Sequence, residues 1–229
     1  MLVTGYSPLV QAYLNGHIDA FKFLLEKGAR NHICPHLDRN NNFMTIFTHA
    51  ASKCNFEILR IMLDYGIDIN EKSERGSTTL SLIMRDVEEN WRQIADFLVD
   101  NGADIHCQDN FNRNLCDVVF FHISQCIDYT QKQKIEYLIQ KGVKQFGTDS
   151  NGDNQIMSYL KMFSNTSSPV DEMEMRCILD IISPRIKITE KKFDINYKNK
   201  DGDTALSIAR KRYKHDSRLV QFLLSMGAR

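Results

Sequence analysis

The chain has 229 residues, 42% of them apolar, and its 29 Lys/Arg are matched by 29 Asp/Glu. That length can bury a substantial core, while the zero net charge removes any global electrostatic footprint for nucleic acid or membrane. Six cysteines show no C-x-x-C pair or compact framework, and no apolar run approaches the roughly 18 residues of a membrane span.

The predicted elements repeat a single unit in chain order. Ser7-Pro8-Leu9 opens a helix with a hydroxyl that can cap it and a proline suited to its first position. Gly16-His17 turns into a second helix, which closes on Leu24-Leu25-Glu26-Lys27-Gly28-Ala29. After an insertion carrying His32, Cys34 and His36, Thr45-Ile46-Phe47 starts again, and Met62–Asn70 supplies the same apolar end followed by Gly66. Thr78-Thr79-Leu80 starts a third unit, lengthened at Val87–Asn90 before Trp91, the sole tryptophan, and closing over Leu98–His106. In the fourth unit Asn114-Leu115-Cys116 takes the starting slot, and extra residues precede Leu138–Val143. A fifth begins at Asn151–Ile156, with a polar loop at Ser164–Pro169, a second helix expected over Met173–Ile182 and an insertion at Ser183–Lys192. Phe193–Asn196 leads to the sixth, which starts at Asp201–Leu206 and ends at Leu223–Ala228. The approximate units are 1–37, 38–72, 73–107, 108–145, 146–195 and 196–229, within a single domain 1–229.

Glycine usage follows the same scheme. Residues 28, 66, 102, 142 and 227 come just after second helices, and 5, 76, 152 and 202 come two residues before a helix-starting slot or its equivalent. Both are places where a left-handed backbone is needed. Only Gly16 and Gly147 fall outside, and Gly16 suits the turn between helices.

The 33-residue step from Thr45 to Thr78 is the period of ankyrin repeats. The stretch Thr45–Asn70 resembles that family's pattern, T-P-L-H-x-A-A-x-x-G-H-x-E-I-V-x-L-L-L-x-x-G-A-D-x-N, almost slot for slot. The irregular inserts and Asn/Asp/Lys/Ile-rich composition further resemble ankyrin families of large DNA viruses and intracellular bacteria. The resemblance implies an all-α ankyrin-repeat solenoid of about six helix-turn-helix units with β-turn fingers. Stacking would cover the apolar face that each helix pair leaves open. It implies protein–protein recognition as adaptor, scaffold or decoy, with no enzymatic activity and no cofactor. In that family the two residues after the Ala-Ala slot face a concave groove; here those slots are Leu14-Asn15, Ser52-Lys53, Arg85-Asp86 and Lys211-Arg212. The finger tips fall at Glu71–Arg75, Gln108–Arg113, Thr148–Asn151 and Lys198–Lys200. The candidate partner-binding residues are therefore Lys53, Arg75, Arg85, Asp86, Phe111, Arg113, Lys198, Lys211 and Arg212.

Several features carry two readings. Phe111 is either an aromatic anchor on a polar tip or packing against a neighbouring finger. Trp91 either packs under the lengthened loop or anchors an interface. Arg210-Lys211-Arg212, near Lys214 and His215, suits an acidic partner, a nucleic acid or an import receptor, or else complements a helix C-terminal dipole. Residues 185–229 hold 12 Lys/Arg against five Asp/Glu, whereas 1–184 hold 17 against 24. His32, Cys34, His36 and Cys54 offer an alternative metal or thiol site, although their spacing matches no usual zinc pattern. His49/Cys54 and Cys116/His122 do not share a helix face. Asp201-Gly202-Asp203 lacks the rest of a calcium loop and reads as a turn. A repeat chain drifted from any dedicated partner is a further alternative.

Apolar residues at Pro8–Leu14 and Leu219–Leu224 leave both ends without polar capping units, so self-association is expected as a possibility alongside another protein as partner. No membrane partner is expected, and nucleic acid is disfavoured. The free thiols and the absence of a leader point to a reducing, intracellular compartment.

Overall fold

The computed structural model describes residues 6–30, 33–34, 44–87, 89–123, 129–144, 147–163, 194–212 and 218–229. The chain forms two compact units, Met1–Asp104 and Ile105–Arg229. The first contains α1 (Pro8–Leu14), α2 (Ile18–Glu26), β1 (Ile33–Cys34), β2 (Met44–Thr45), α3 (Ile46–Ser52), α4 (Phe56–Asp64), α5 (Thr79–Asp86) and α6 (Trp91–Asp100). The second contains, among its described residues, α7 (Leu115–Ile123), α8 (Tyr129–Gln140), α9 (Gln155–Phe163), α10 (Ala205–Arg212) and α11 (Arg218–Ser225). The expected second helix at Met173–Ile182, with the loop and insertion around it, lies outside the described residues.

Each repeat starts on a capped helix. Ser7, Thr45, Thr78 and Thr204 accept, through their hydroxyls, the backbone N–H three residues on, at 3.4, 3.2, 3.2 and 3.1 Å. Asn114 and Asn154 do the same through Oδ1 at 3.0 Å, so the amide side chain stands in for the hydroxyl in the two divergent repeats. At Asn114 the cap is reciprocal, because Asp117 Oδ2 accepts the Asn114 N–H at 2.9 Å.

Five second helices end alike. Gly28, Gly66, Gly102, Gly142 and Gly227 all have positive φ, and the following N–H returns to a carbonyl five residues back, as in Ala103 to Leu98 at 2.9 Å. This Schellman closure satisfies carbonyls the helix leaves free.

Between those ends the helices pair, α1 with α2, α3 with α4, α5 with α6, α7 with α8 and α10 with α11. Neighbouring first helices also pack, α3 on α5 in the first unit, and α7 on α9 and α9 on α10 in the second. Phe21, Ile46, Phe47, Ile58, Leu59, Met62, Leu80, Ile83 and Leu98 fill the first core; Leu115, Val119, Leu138, Ile156, Leu160, Leu206 and Leu223 fill the second. Each such side chain contributes about 1.5–3 kcal/mol by leaving water. A buried hydroxyl pair, Thr48 to Thr79 at 2.8 Å, ties α3 to α5. Trp91 is buried as the first residue of α6, which settles its role as packing.

Two local details differ from what the sequence suggested. In place of a simple polar loop after the first repeat, Ile33 pairs with Thr45 and Cys34 with Met44 as a short antiparallel ladder. Two residues per strand are too few for an alternating pattern to show. Gly147, which fitted no repeat slot, lies against Asp117: a Cβ there would stand 2.9 Å from the carboxylate Oδ2.

Candidate interaction surface

The fingers share one turn. In the first unit, the Ser73 N–H donates to Ser77 O at 2.9 Å and the Gly76 N–H to Ser73 O at 2.8 Å. In the second, Asp109, Asp149 and Asn199 repeat it, with their N–H groups donating to Arg113, Asp153 and Asp203 carbonyls at 3.0–3.1 Å. Each of these three side chains adds what serine supplies only in part: one oxygen accepts the two N–H groups two and four residues on. The left-handed position is Gly76, Gly152 or Gly202, but Asn112 in the fourth repeat, at φ 60°. Asparagine tolerates that region better than most side chains, which is why the glycine pattern missed this finger.

The second unit's fingers are laddered to one another. The Ser150 N–H donates to Phe111 O at 3.2 Å, Lys200 Nζ to Ser150 O at 2.8 Å, and Asn199 Nδ2 to Asp153 Oδ1 at 2.7 Å. Phe111 stands on the first rung with its side chain 51% exposed. Its backbone is held by Asp109 Oδ1 at 2.9 Å, and the Arg113 guanidinium lies 5.0 Å from its ring centroid. Arg113 is itself held by Asp109 Oδ2, at 2.7 Å from Nε and 2.6 Å from the terminal nitrogen. The exposed ring is thus set on a braced cation–π stack.

The first-helix ends place the other candidates. Lys53 caps α3 and is exposed. Arg85 grips its own neighbour Asp86 through two contacts of 2.6 Å, so these two charges meet each other. Lys211 Nζ reaches Asp203 Oδ1 at 2.6 Å, and Arg212 donates to the Lys161 carbonyl at 2.8 Å, joining α10 to α9. The Lys211 bond, with one from the Ser207 hydroxyl, holds the Asp203 carboxyl below its ordinary range. Arg75 and Lys198 are exposed finger residues. Lys214 and His215 lie outside the described residues.

Two residues escaped the sequence reading. Lys161 occupies in α9 the slot of Lys211 in α10, and it meets the buried Asp153 at 2.5 Å just as Lys211 meets Asp203. The signal was the eight-residue separation, Asp153 to Lys161 and Asp203 to Lys211, which recurs in both repeats.

Other titratable groups have structural duties. Burial pushes the Asp117 carboxyl up to about 6, against the Asn114 N–H, Gln155 and nearby Arg113, which pull it down. Gln155 Nε2 donates to Asp117 Oδ1, tying α9 to α7. Burial, with Asp117 alongside, pushes the Cys116 thiol far above its ordinary range, and a neutral thiol is a poor nucleophile. His49 Nδ1 meets the Tyr13 hydroxyl at 2.7 Å; burial first, and then Lys53, lower its pKa. Cys54 holds the α3–α4 turn at φ 54°. His32, His36 and the Cys34 side chain lie outside the described residues, and no trio of His, Cys, Asp or Glu gathers for a metal among the described ones. Leu14 and Phe23 in the first repeat, and Leu224 and Met226 in the last, are exposed apolar residues.

Among the described residues no helix is long and apolar enough to cross a membrane. Residues 2–73 match the family model for ankyrin repeats (3 copies). A segment of 110 residues, 48% of this chain, is 26% identical to part of the potassium channel AKT2/3 of Arabidopsis thaliana and covers 12% of that protein. Ankyrin repeats are in general protein–protein interaction modules, and the family is typically non-enzymatic. Residues 2–73 are thus similar to ankyrin repeats, and caps, Schellman ends and finger turns of the same kind recur as far as Ala228.

Proposed function

We propose that this chain binds another protein by occupancy, as an adaptor, scaffold or decoy, through its finger tips and first-helix ends, with no catalytic step of its own. The observation that carries the reading is the Phe111–Arg113 tip. An aromatic half out in solvent is costly to expose, and here its backbone and its stacked cation are fixed from beneath by one carboxylate. A preset anchor loses little freedom on binding, which raises affinity per contact. Lys53, Arg75, Lys198, Lys211 and Arg212 supply further exposed polar groups around the same two kinds of surface, while Arg85 and Asp86 act as a pair.

The test is affinity capture with the full chain, identification of the retained protein, and titration of that protein against Phe111→Ala. Loss of an anchor of this kind costs about 2 kcal/mol or more, roughly thirtyfold in Kd. An unchanged Kd for both Phe111→Ala and Arg113→Ala would sink the assignment of this tip. Free thiols at Cys54, Cys107 and Cys116 support a reducing intracellular setting. Exposure of Leu14, Phe23, Leu224 and Met226 supports self-association as a separate property, and a monomer in sedimentation at high micromolar concentration would remove it.

A further inference from the structure

The second unit, residues 105–229, holds 19 Lys/Arg and 15 Asp/Glu, against 10 and 14 in residues 1–104. What matters more is how its charges are arranged. Asp109, Asp117 and Asp153 are buried, and two of them are spent on cations that point outward: Asp109 on Arg113 and Asp153 on Lys161. Asp203 repeats the device with Lys211. In each pair the carboxylate is the more covered partner, with side-chain exposures of 4%, 1% and 22%, against 31%, 27% and 63% for the cations. Lys161 and Lys211 occupy the same slot on packed first helices, and the Arg212–Lys161 bond fixes α10 to α9 beside them. Lys200 extends the series along the finger ladder.

Simple surface ion pairs would leave both signs equally accessible. Here an approaching molecule meets cationic heads whose stems are already oriented, with the counter-charges beneath. Side chains ordered before binding lose less entropy on contact, and an ordered row of cations selects partners by electrostatic complementarity.

We propose that the finger and first-helix surface of the second unit, running from Arg113 through Lys161 to Lys211 and Arg212, receives an acidic, extended segment of a protein partner. The inference rests on the binding reading given above and names the partner's chemistry at that surface. A protein segment is favoured over nucleic acid because the row begins at an exposed aromatic held by its own arginine.

The test selects 12-residue peptides from a random displayed library on the full chain and measures them by fluorescence anisotropy at low and moderate salt. Expected are Asp/Glu-rich sequences whose Kd weakens several-fold between about 50 and 200 mM salt. A further tenfold loss is expected for the double variant Lys211→Gln/Arg212→Gln, and none for Lys22→Gln on α2. Melting temperature is followed for both variants, and Lys161→Gln serves as a second variant if the double one fails to fold. A neutral or basic consensus, no enrichment, or a single-stranded 12-mer oligonucleotide binding more tightly than the best peptide overturns the inference. A captured protein that depends on Phe111 but ignores the charge variants would overturn it while leaving the binding reading intact.

Discussion

Cys54 takes φ 54° where the first repeat has Gly16 at φ 69°. A side chain in the left-handed region costs on the order of 1 kcal/mol, and glycine's greater unfolded freedom gives part of that back. Cys54→Gly is therefore expected to raise stability by about 0.5 kcal/mol, seen as a melting temperature one to a few degrees higher; a fall would show that the thiol contributes packing that outweighs the strain. The turns at glycine were legible in the sequence because few other residues serve there. Cys54 and Asn112 were not, since neither announces a left-handed backbone. Phe111 stood out as an aromatic on a polar tip, but its brace did not. The Asp109–Arg113 pair has helix-like spacing in a segment that is not helical, so only the turn geometry brings the two together.

The element scale shows how neighbouring repeats are held in register. Asn70, which follows α4, donates through Nδ2 to Gly102 O at 3.0 Å and accepts the Asp104 N–H on Oδ1 at 2.7 Å. One side chain thus reads the closing turn of α6 in the next repeat. Asn196 grips Gly227 O at 3.2 Å and the Arg229 N–H at 2.7 Å in the same way. Asp68 and Asp194 preset the two clamps by accepting the N–H of Asn70 and Asn196. Both bonds are exposed, so Asn70→Ala is expected to cost only about 1 kcal/mol, measured by urea unfolding, with hydrogen exchange accelerating first at Gly102–Asp104. Exchange that rises evenly over the whole first unit would mean the clamp does not act locally. The Asp-Ile-Asn motif was visible in the sequence as family resemblance, yet the partner across the repeat boundary was not. Helix starts and ends were legible because each is a local backbone requirement. The α8 helix was less so, since Gln131 and Lys134 are buried where the repeat expects apolar residues. The β1–β2 pair has only two residues per strand, too few for a sequence period to show.

Across the molecule, the two units differ in what they bury. The described buried polar residues of the first are Thr48, Thr78, Thr79 and Ser81, all neutral, whereas the second buries Asp109, Asp117, Lys134 and Asp153 among others. The shifted groups His49 and Asp117 respond to pH with opposite sign. In the first unit, His49 has a pKa below the ordinary 6.5, so the unfolded chain takes up the proton more readily and stability is lost as pH falls through that range. In the second, Asp117 is raised from 3.8 to about 6, so the folded form takes up the proton first and stability is gained as pH falls through 6. Asp203, held low, acts only in more acid solution. Hydrogen exchange between pH 7 and 5, corrected for intrinsic rates, should therefore show protection falling in α3 and α4 and rising in α7 and α9. His49→Gln should remove the first change and Asp117→Asn the second, each without touching the other. Parallel changes in both units would mean that a shared titration, rather than His49 and Asp117, governs the response. Protonation of Asp117 would keep the more basic unit ordered as α3 and α4 loosen, so binding through Phe111 and Lys211 should outlast the first unit's loss of protection on acidification.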